Sequence, residues 1–376
     1  MKFGFRLFKW RRARAASGRS ISGPMALGLS VLGLSMLGLS LTGCSSGEDA
    51  AGADSLPAST TSTPGAGTSN SGSIVPSSTP AAQLIRMPLT GEILSSAAEI
   101  PERPALAVKI DNHPRARPQG GLNEADVIFE ENVENLTRFA AVFHSTEAEL
   151  VGPIRSGRSQ DISILSAFDR PLFAWSGGND GVRRLVRNSD LVDLDAGRTS
   201  GYYRRQGRSA PHNLYSATGD LWVHAPEGSA TPRPVFEYLG PEAEVVGEPA
   251  SVLRVEMDGL RIRWEYDSEE RVYVRFQNDQ AHQTESSGQV RSDTVIVMAV
   301  TYRPSPADPN SPEAQLTGSG PVVVLSGGVV RTGTWERSAI TDPYRFFLEN
   351  GEPLLLSPGR VFVHLARDRD GFAVWE

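Results

Sequence analysis

The order of apolar runs and turn residues predicts an α+β or α/β protein. A mixed α/β segment over residues 100–228 is followed by a β-rich, sandwich- or barrel-like segment over residues 232–376. Three observations carry this expectation. Short apolar runs alternate with helical spacing up to Val186. Beyond Thr231-Pro232-Arg233-Pro234 the pattern becomes short β-rich pieces separated by turn residues. Ahead of residue 100, large apolar side chains are scarce once a leader-like run ends at Gly43.

The elements follow in chain order. Ala105 to Ile110 is an apolar run closed by Asp111-Asn112-His113-Pro114, a strand meeting turn chemistry. Asp126 to Val133 and Arg138 to Phe143 read as two strands with Asn135 turning between them. Ser156 to Phe168 predicts a helix capped by Ser156, with Ile162, Leu165 and Phe168 at helical spacing. Leu172 to Trp175 is a strand, and Gly177 to Gly181 opens a second helix that turns Val182, Leu185 and Val186 inward. The β-rich segment predicts strands at Ser251–Met257, Leu260–Tyr266, Val272–Phe276, Thr294–Val300, Pro321–Leu325, Tyr344–Leu348 and Val361–His364. Asp258-Gly259, Asn350-Gly351 and Pro358-Gly359 mark turns among them.

The 376 residues are 39% hydrophobic and 22% charged, which excludes collagen-like, coiled-coil and fully disordered chains. Charge is unevenly placed. Seven basic side chains and no acid fall in residues 1–44, leaving 30 basic against 44 acidic beyond them. An acidic body repels a nucleic-acid backbone, so nucleic acid is not an expected partner.

The basic segment precedes an uncharged Leu- and Gly-rich run at residues 25–43, which ends Leu41-Thr42-Gly43-Cys44. Basic region, apolar region and small residues before a cut are the parts of a secretory signal. The pattern resembles a bacterial lipobox. The resemblance implies removal of residues 1–43 and lipid on Cys44, the single cysteine, which places the protein on the extracytoplasmic side of the cell membrane. An uncleaved membrane helix is the alternative. Residues 44–85, rich in Ser, Thr, Gly, Ala and Pro, cannot recover their ordering entropy and read as a tether. A coil of about 35 such residues measures about 30–35 Å.

Three polar clusters stand out. Asp111-Asn112-His113 and Arg117 follow the first strand, where ligand sites of α/β sheets gather. Arg155 and Arg158 lie at the start of an expected helix, whose free N–H groups would join two guanidiniums in binding phosphate or carboxylate. His212-Asn213 forms the third. The stretches RPALAVKIDNHPRARPQGGLNEADVIFE, ENLTRFAAVFH, VGPIRSGRS, APHNLY, WEYDSEERVYVRF and SGGVVRTGTWER resemble the YerB-like bacterial lipoproteins, in the same order across roughly residues 100–370. The resemblance implies an exported two-domain lipoprotein of unknown function and assigns no catalytic residue. Its recurring positions fall on Asp111, Asn112, Arg117, Arg138, Arg155, Arg158, His212 and Asn213.

The residues therefore predict an anion site: Arg155 and Arg158 as clamp, Arg117, Arg138, Asn112 and Asn213 assisting, and an anionic cell-wall polymer as ligand. The alternative is a hydrolase or transferase on such a polymer, with Asp111 as general base and His113 or His212 as general acid. A structural or partner-binding module is the third reading, in which the same charges form a buried ion-pair network. No phosphate loop, serine elbow or zinc motif is present in the sequence, and no cofactor or metal is expected. Trp264, Tyr266, Tyr273 and Trp335 could stack on sugar rings, but alternating strands more often turn such residues into the core. Oligomeric state is not encoded in any of these features.

Overall fold

The computed structural model describes residues 84–376. The leader-like segment, Cys44 and the tether up to residue 83 lie outside the described residues, and the expected lipidation with them. Among the described residues, no helix is long and apolar enough to cross a membrane.

The first segment contributes β1 (Leu106–Asp111), β2 (Val127–Val133), β3 (Leu136–Phe143), β4 (Leu172–Trp175), β5 (Val192–Asp195) and the short hairpin β6 (Tyr203–Arg204) and β7 (Leu214–Tyr215). Its helices are α1 (Gln160–Leu165), α2 (Asp180–Arg187) and α3 (Thr218–Trp222). The second segment adds β8 (Glu248–Pro249), β9 (Val252–Met257), β10 (Leu260–Asp267), β11 (Val272–Gln277), β12 (Gln280–Ala281), β13 (Arg291–Ser292) and β14 (Thr294–Val300). It closes with β15 (Tyr302–Pro304), β16 (Pro312–Ala314), β17 (Gly318–Ser326), β18 (Val329–Arg337), β19 (Arg345–Leu348), β20 (Val361–Arg367) and β21 (Ala373–Trp375).

An 11-stranded sheet runs in the order β19-β18-β17-β14-β20-β2-β3-β1-β4-β5, with β8 beside β18. It draws on both segments, because β20 pairs in parallel with β2. Strands β1, β2 and β14 are buried throughout, and β20 up to its last residue, which explains the apolar residues on both faces of each; β1, β2 and β20 also carry buried Lys109, Glu130, Glu131 and His364. A 6-stranded sheet, β12-β11-β10-β9-β21 with β13 on β11, covers one face. There Val108, Ile110 and Phe139 meet Leu253, Ile262 and Trp264 in one core. Helices α1 and α2 cover part of the opposite face, where Ala107 and Phe129 join Ile164, Phe168 and Val182 in a second core.

The architecture corrects parts of the expected fold. Parallel pairing of β1 with β4 and of β4 with β5 is the α/β character of the first segment. The rest of that segment is a β2–β3 antiparallel hairpin, and its helices are short. The molecule is mostly β. The expected helix from Ser156 begins only at Gln160, with Ser159 at its cap and a 3-10 turn at Ser166–Phe168 ending it. Strands β5, β6, β7, β8, β12, β13, β15, β16, β18 and β21 lie outside the expected runs. For β18 a signal existed, since Gly327 and Gly328 both adopt positive φ in the turn after β17, the glycine pair that tight hairpins favour.

Candidate functional site

The last residue of β1, Asp111, is fixed by its register against Arg138 of β3. Alternation along the strands puts Lys109, Asp111, Arg138 and Glu131 on the α1 face, whereas Glu130 and Thr137 turn to the smaller sheet. Two polar systems therefore share one strand end.

On the α1 face the sequence-predicted residues converge. Asp111 Oδ2 lies 2.7 Å from His212 Nδ1 and 3.1 Å from Arg155 Nε. Asp111 Oδ1 accepts the backbone N–H of His113 at 3.0 Å. The rings of His113 and His212 stack with centroids 4.4 Å apart and 16° between planes. Burial, with His212 alongside, holds His113 below the usual imidazole range.

The expected clamp is built differently. Arg158 is spent on Glu134, at 3.0 Å through Nε and 2.6 Å through Nη2, while its Nη1 reaches Gly157 O. Burial would raise the Glu134 carboxyl, but Arg158 and Ser311 outweigh it and hold the group near 2. Ahead of the six-residue helix α1, Asp161 Oδ2 accepts the Arg158 N–H at 2.7 Å, which aims a carboxylate at the place an anion would take. Arg155 is bonded through Nε alone and keeps both terminal nitrogens.

Arg138 is the unusual member. It is 5% exposed, gives one hydrogen bond to Ser156 O at 2.9 Å, and has no ion pair among the described residues; its Nε has no partner. Burial first, then Arg158 and Arg155, push its guanidinium down to about 10. Arg117 has an unpartnered buried Nε as well, and burial lowers it too. These two guanidiniums, not the Arg155 and Arg158 pair, form no ion pair among the described residues; Asp111 and Glu134 act on Arg138, and Glu130 and Asp111 on Arg117, from a greater distance.

The two asparagines turn into the protein. Asn112 Nδ2 donates to Thr137 Oγ1 at 2.7 Å, and its Oδ1 accepts from Gln277 at 3.2 Å. Asn213 ties the hairpin together, accepting from Arg204 at 2.6 Å and donating to Arg208 O at 3.1 Å. The aromatic residues Trp264, Tyr273 and Trp335 are buried in the core, which removes them as a sugar platform.

Sequence reasoning missed the support beneath the site. Arg275 of β11 binds both oxygens of Glu130, at 3.0 and 2.8 Å, and also contacts His282. His282 Nε2 meets Gln119 Oε1 at 2.9 Å, and Gln119 donates to the backbone oxygen of Asp111 at 2.9 Å. Trp264 donates to His364 Nε2 at 2.8 Å, which leaves the proton of neutral His364 on Nδ1, 3.0 Å from Glu130. Contacts spanning 145 and 163 residues leave no local signal in the chain.

The fold and the site define a β-rich protein built on two main sheets, with a cluster of guanidiniums, imidazoles and carboxylates at the end of a central strand. The chain belongs to the YerB-like family. Residues 89–231 match the family described as "Protein of unknown function (DUF3048) N-terminal domain", and residues 253–363 match its C-terminal domain. A relative named "Putative lipoprotein YerB", from Bacillus subtilis, is 34% identical over 142 residues, 36% of this chain. The aligned stretch spans 41% of that relative's length. The crystal structure of YerB protein from Bacillus subtilis has the same fold, with a TM-score of 0.67 and 22% identity over 78% of this chain and 99% of that one.

Proposed function

We propose that the protein is a lipoprotein, anchored through Cys44 to the extracytoplasmic face of the cell membrane, that binds an anionic envelope ligand at the end of β1. The leader ending at Cys44 and the name of the Bacillus subtilis relative support the anchor. The observation that carries the ligand is Arg138, a buried guanidinium without a carboxylate. Arg138 forms no ion pair among the described residues, and Asp111 and Glu134 act on it only from beyond ion-pair distance. A buried guanidinium with an unpartnered Nε and no ion pair is costly, and a phosphate or carboxylate beside Arg138 and the free end of Arg155 would relieve it.

The test is thermal unfolding of the full chain in detergent micelles with phosphate-bearing and carboxylate-bearing wall fragments. Ligand at 100 times its Kd stabilises by about 2.7 kcal/mol. Arg138→Met should lose at least tenfold in affinity while keeping or raising the ligand-free Tm, because an apolar chain of similar length relieves the buried charge. Unchanged affinity in a folded Arg138→Met protein would refute the reading. No shift with any fragment would favour a module for protein partners.

A further inference from the structure

The contact between Asp111 and His212 has chemistry that anion binding does not use. Asp111 also receives Arg155, so it is a carboxylate that only accepts, and His212 must donate from Nδ1. The lone pair of His212 is then on Nε2, which is bonded to no described residue. His113 is set the other way. It caps the 3-10 turn Pro114–Ala116, its Nδ1 accepting the Arg115 N–H at 3.1 Å, so the neutral ring carries its proton on Nε2. The stacked rings offer one proton acceptor and one hydrogen-bond donor near Arg155, which is bonded to the same Asp111 as His212. Arg138, its Nε unpartnered, stands opposite Asp111 in the β1–β3 register.

This pairing corrects the simple acid–base expectation. Asp111 orients and does not abstract, and His113, whose Nδ1 is committed to a backbone N–H, is a donor of hydrogen bonds and a poor source of protons. Two substrate classes compete. Glycoside cleavage uses two working carboxyl groups, about 5–10 Å apart. Asp111 and Glu134 are both held in ion pairs, so neither is available for that chemistry. Phosphoryl transfer needs positive charge on the non-bridging oxygens and a base for the attacking oxygen, which are the groups present.

We propose that the protein hydrolyses phosphodiesters at this site with His212 as general base, a step that rests on the anion-binding reading above. Water held at His212 Nε2 attacks phosphorus and gives its proton to Nε2. A new P–O bond forms, and the P–O bond to the leaving group breaks with its electron pair going to that oxygen, which takes a proton from solvent. The products are a phosphomonoester and an alcohol. Arg138 and the terminal nitrogens of Arg155 hold the non-bridging oxygens, and His113 Nε2–H bonds one of them.

The probes are bis(p-nitrophenyl) phosphate for turnover and inorganic phosphate for binding, both with the full chain in detergent micelles. The wild type should release p-nitrophenolate. His212→Ala should lower the rate about 10²- to 10⁴-fold, and added imidazole should restore part of it. Asp111→Asn should also slow the reaction, since the ring loses the partner that fixes its tautomer. Phosphate binding that depends on Arg138 without any p-nitrophenolate release would overturn the catalytic assignment and spare the binding site. Absence of both would overturn both. A His212→Ala protein that loses the rate and gains nothing from imidazole would show a structural histidine and overturn the assignment as well.

Discussion

Lys109 is fully buried, two positions before Asp111 on the same face, and is paired with Glu131 and Asp161, both also fully buried. One ammonium cannot satisfy two carboxylates, and burial together with Asp161 pushes Glu131 up to about 7, against the pull of Lys109. A carboxyl whose pKa rises on folding binds its proton more tightly in the folded chain. Its contribution to stability is therefore present at low pH and is lost as pH climbs from about 4.5 through about 7. Glu131→Gln keeps the neutral form at every pH. Its Tm relative to wild type should rise between pH 5 and pH 8, read by thermal unfolding in matched buffers. A difference independent of pH would mean that Glu131 stays ionised in the folded state. Lys109 was legible as a strand residue. Its two carboxylate partners were not, because Glu131 and Asp161 are 22 and 52 residues away.

Among the elements, the hairpin β6–β7 decides whether His212 reaches Asp111. It is held by the segment at residues 151–154, where Val151 N–H donates to Ser216 O at 2.8 Å and Ile154 N–H to Leu214 O at 2.7 Å. Gly152 lies between them at φ +144°, and a Cβ there would stand 2.8 Å from Leu214 O and 2.9 Å from the Tyr215 ring. Only glycine combines that backbone conformation with that approach. Gly152→Ala should cost about 1–3 kcal/mol in urea unfolding and should weaken phosphate binding by drawing His212 away from Asp111. A wild-type midpoint would contradict this account. The sequence showed Gly152 and His212 in two separate stretches, VGPIRSGRS and APHNLY, and nothing in either said that they meet.

For the molecule as a whole, the apolar joint between the two sheets encloses a buried ion pair. Glu130 on β2 and Arg275 on β11 are both fully buried. Burial would raise Glu130, but Arg275, His364 and Thr137 outweigh it and hold the carboxyl near 2. A pKa depressed on folding stabilises above the unfolded value of about 4.5, and that stability disappears as pH falls toward 2. Removing one partner leaves the other charge buried alone. Arg275→Met should cost about 3–5 kcal/mol, and the double variant Glu130→Leu/Arg275→Met should recover much of that loss. Equal losses in the single and double variants would show that the pair itself, and not the orphaned carboxylate, accounts for the cost. The same joint reaches the site through His282 and Gln119, so the second segment supports Asp111 from beneath.

The amino-acid sequence alone determined the leader-like pattern ending at Cys44, the family, most strand positions and the identity of the charged residues near β1. Those are local properties, set by runs, turns and spacing within a few residues. Tertiary structure alone decided that the two segments share one sheet, that Arg155 and Arg158 are committed to Asp111 and Glu134, and that Arg138 is left without an ion pair among the described residues. Pairing of charges depends on strand register and on contacts between residues tens to hundreds of positions apart. A short turn such as Gly327-Gly328 writes its geometry into adjacent residues, whereas the partner of Asp111 is chosen by where the hairpin carrying His212 packs.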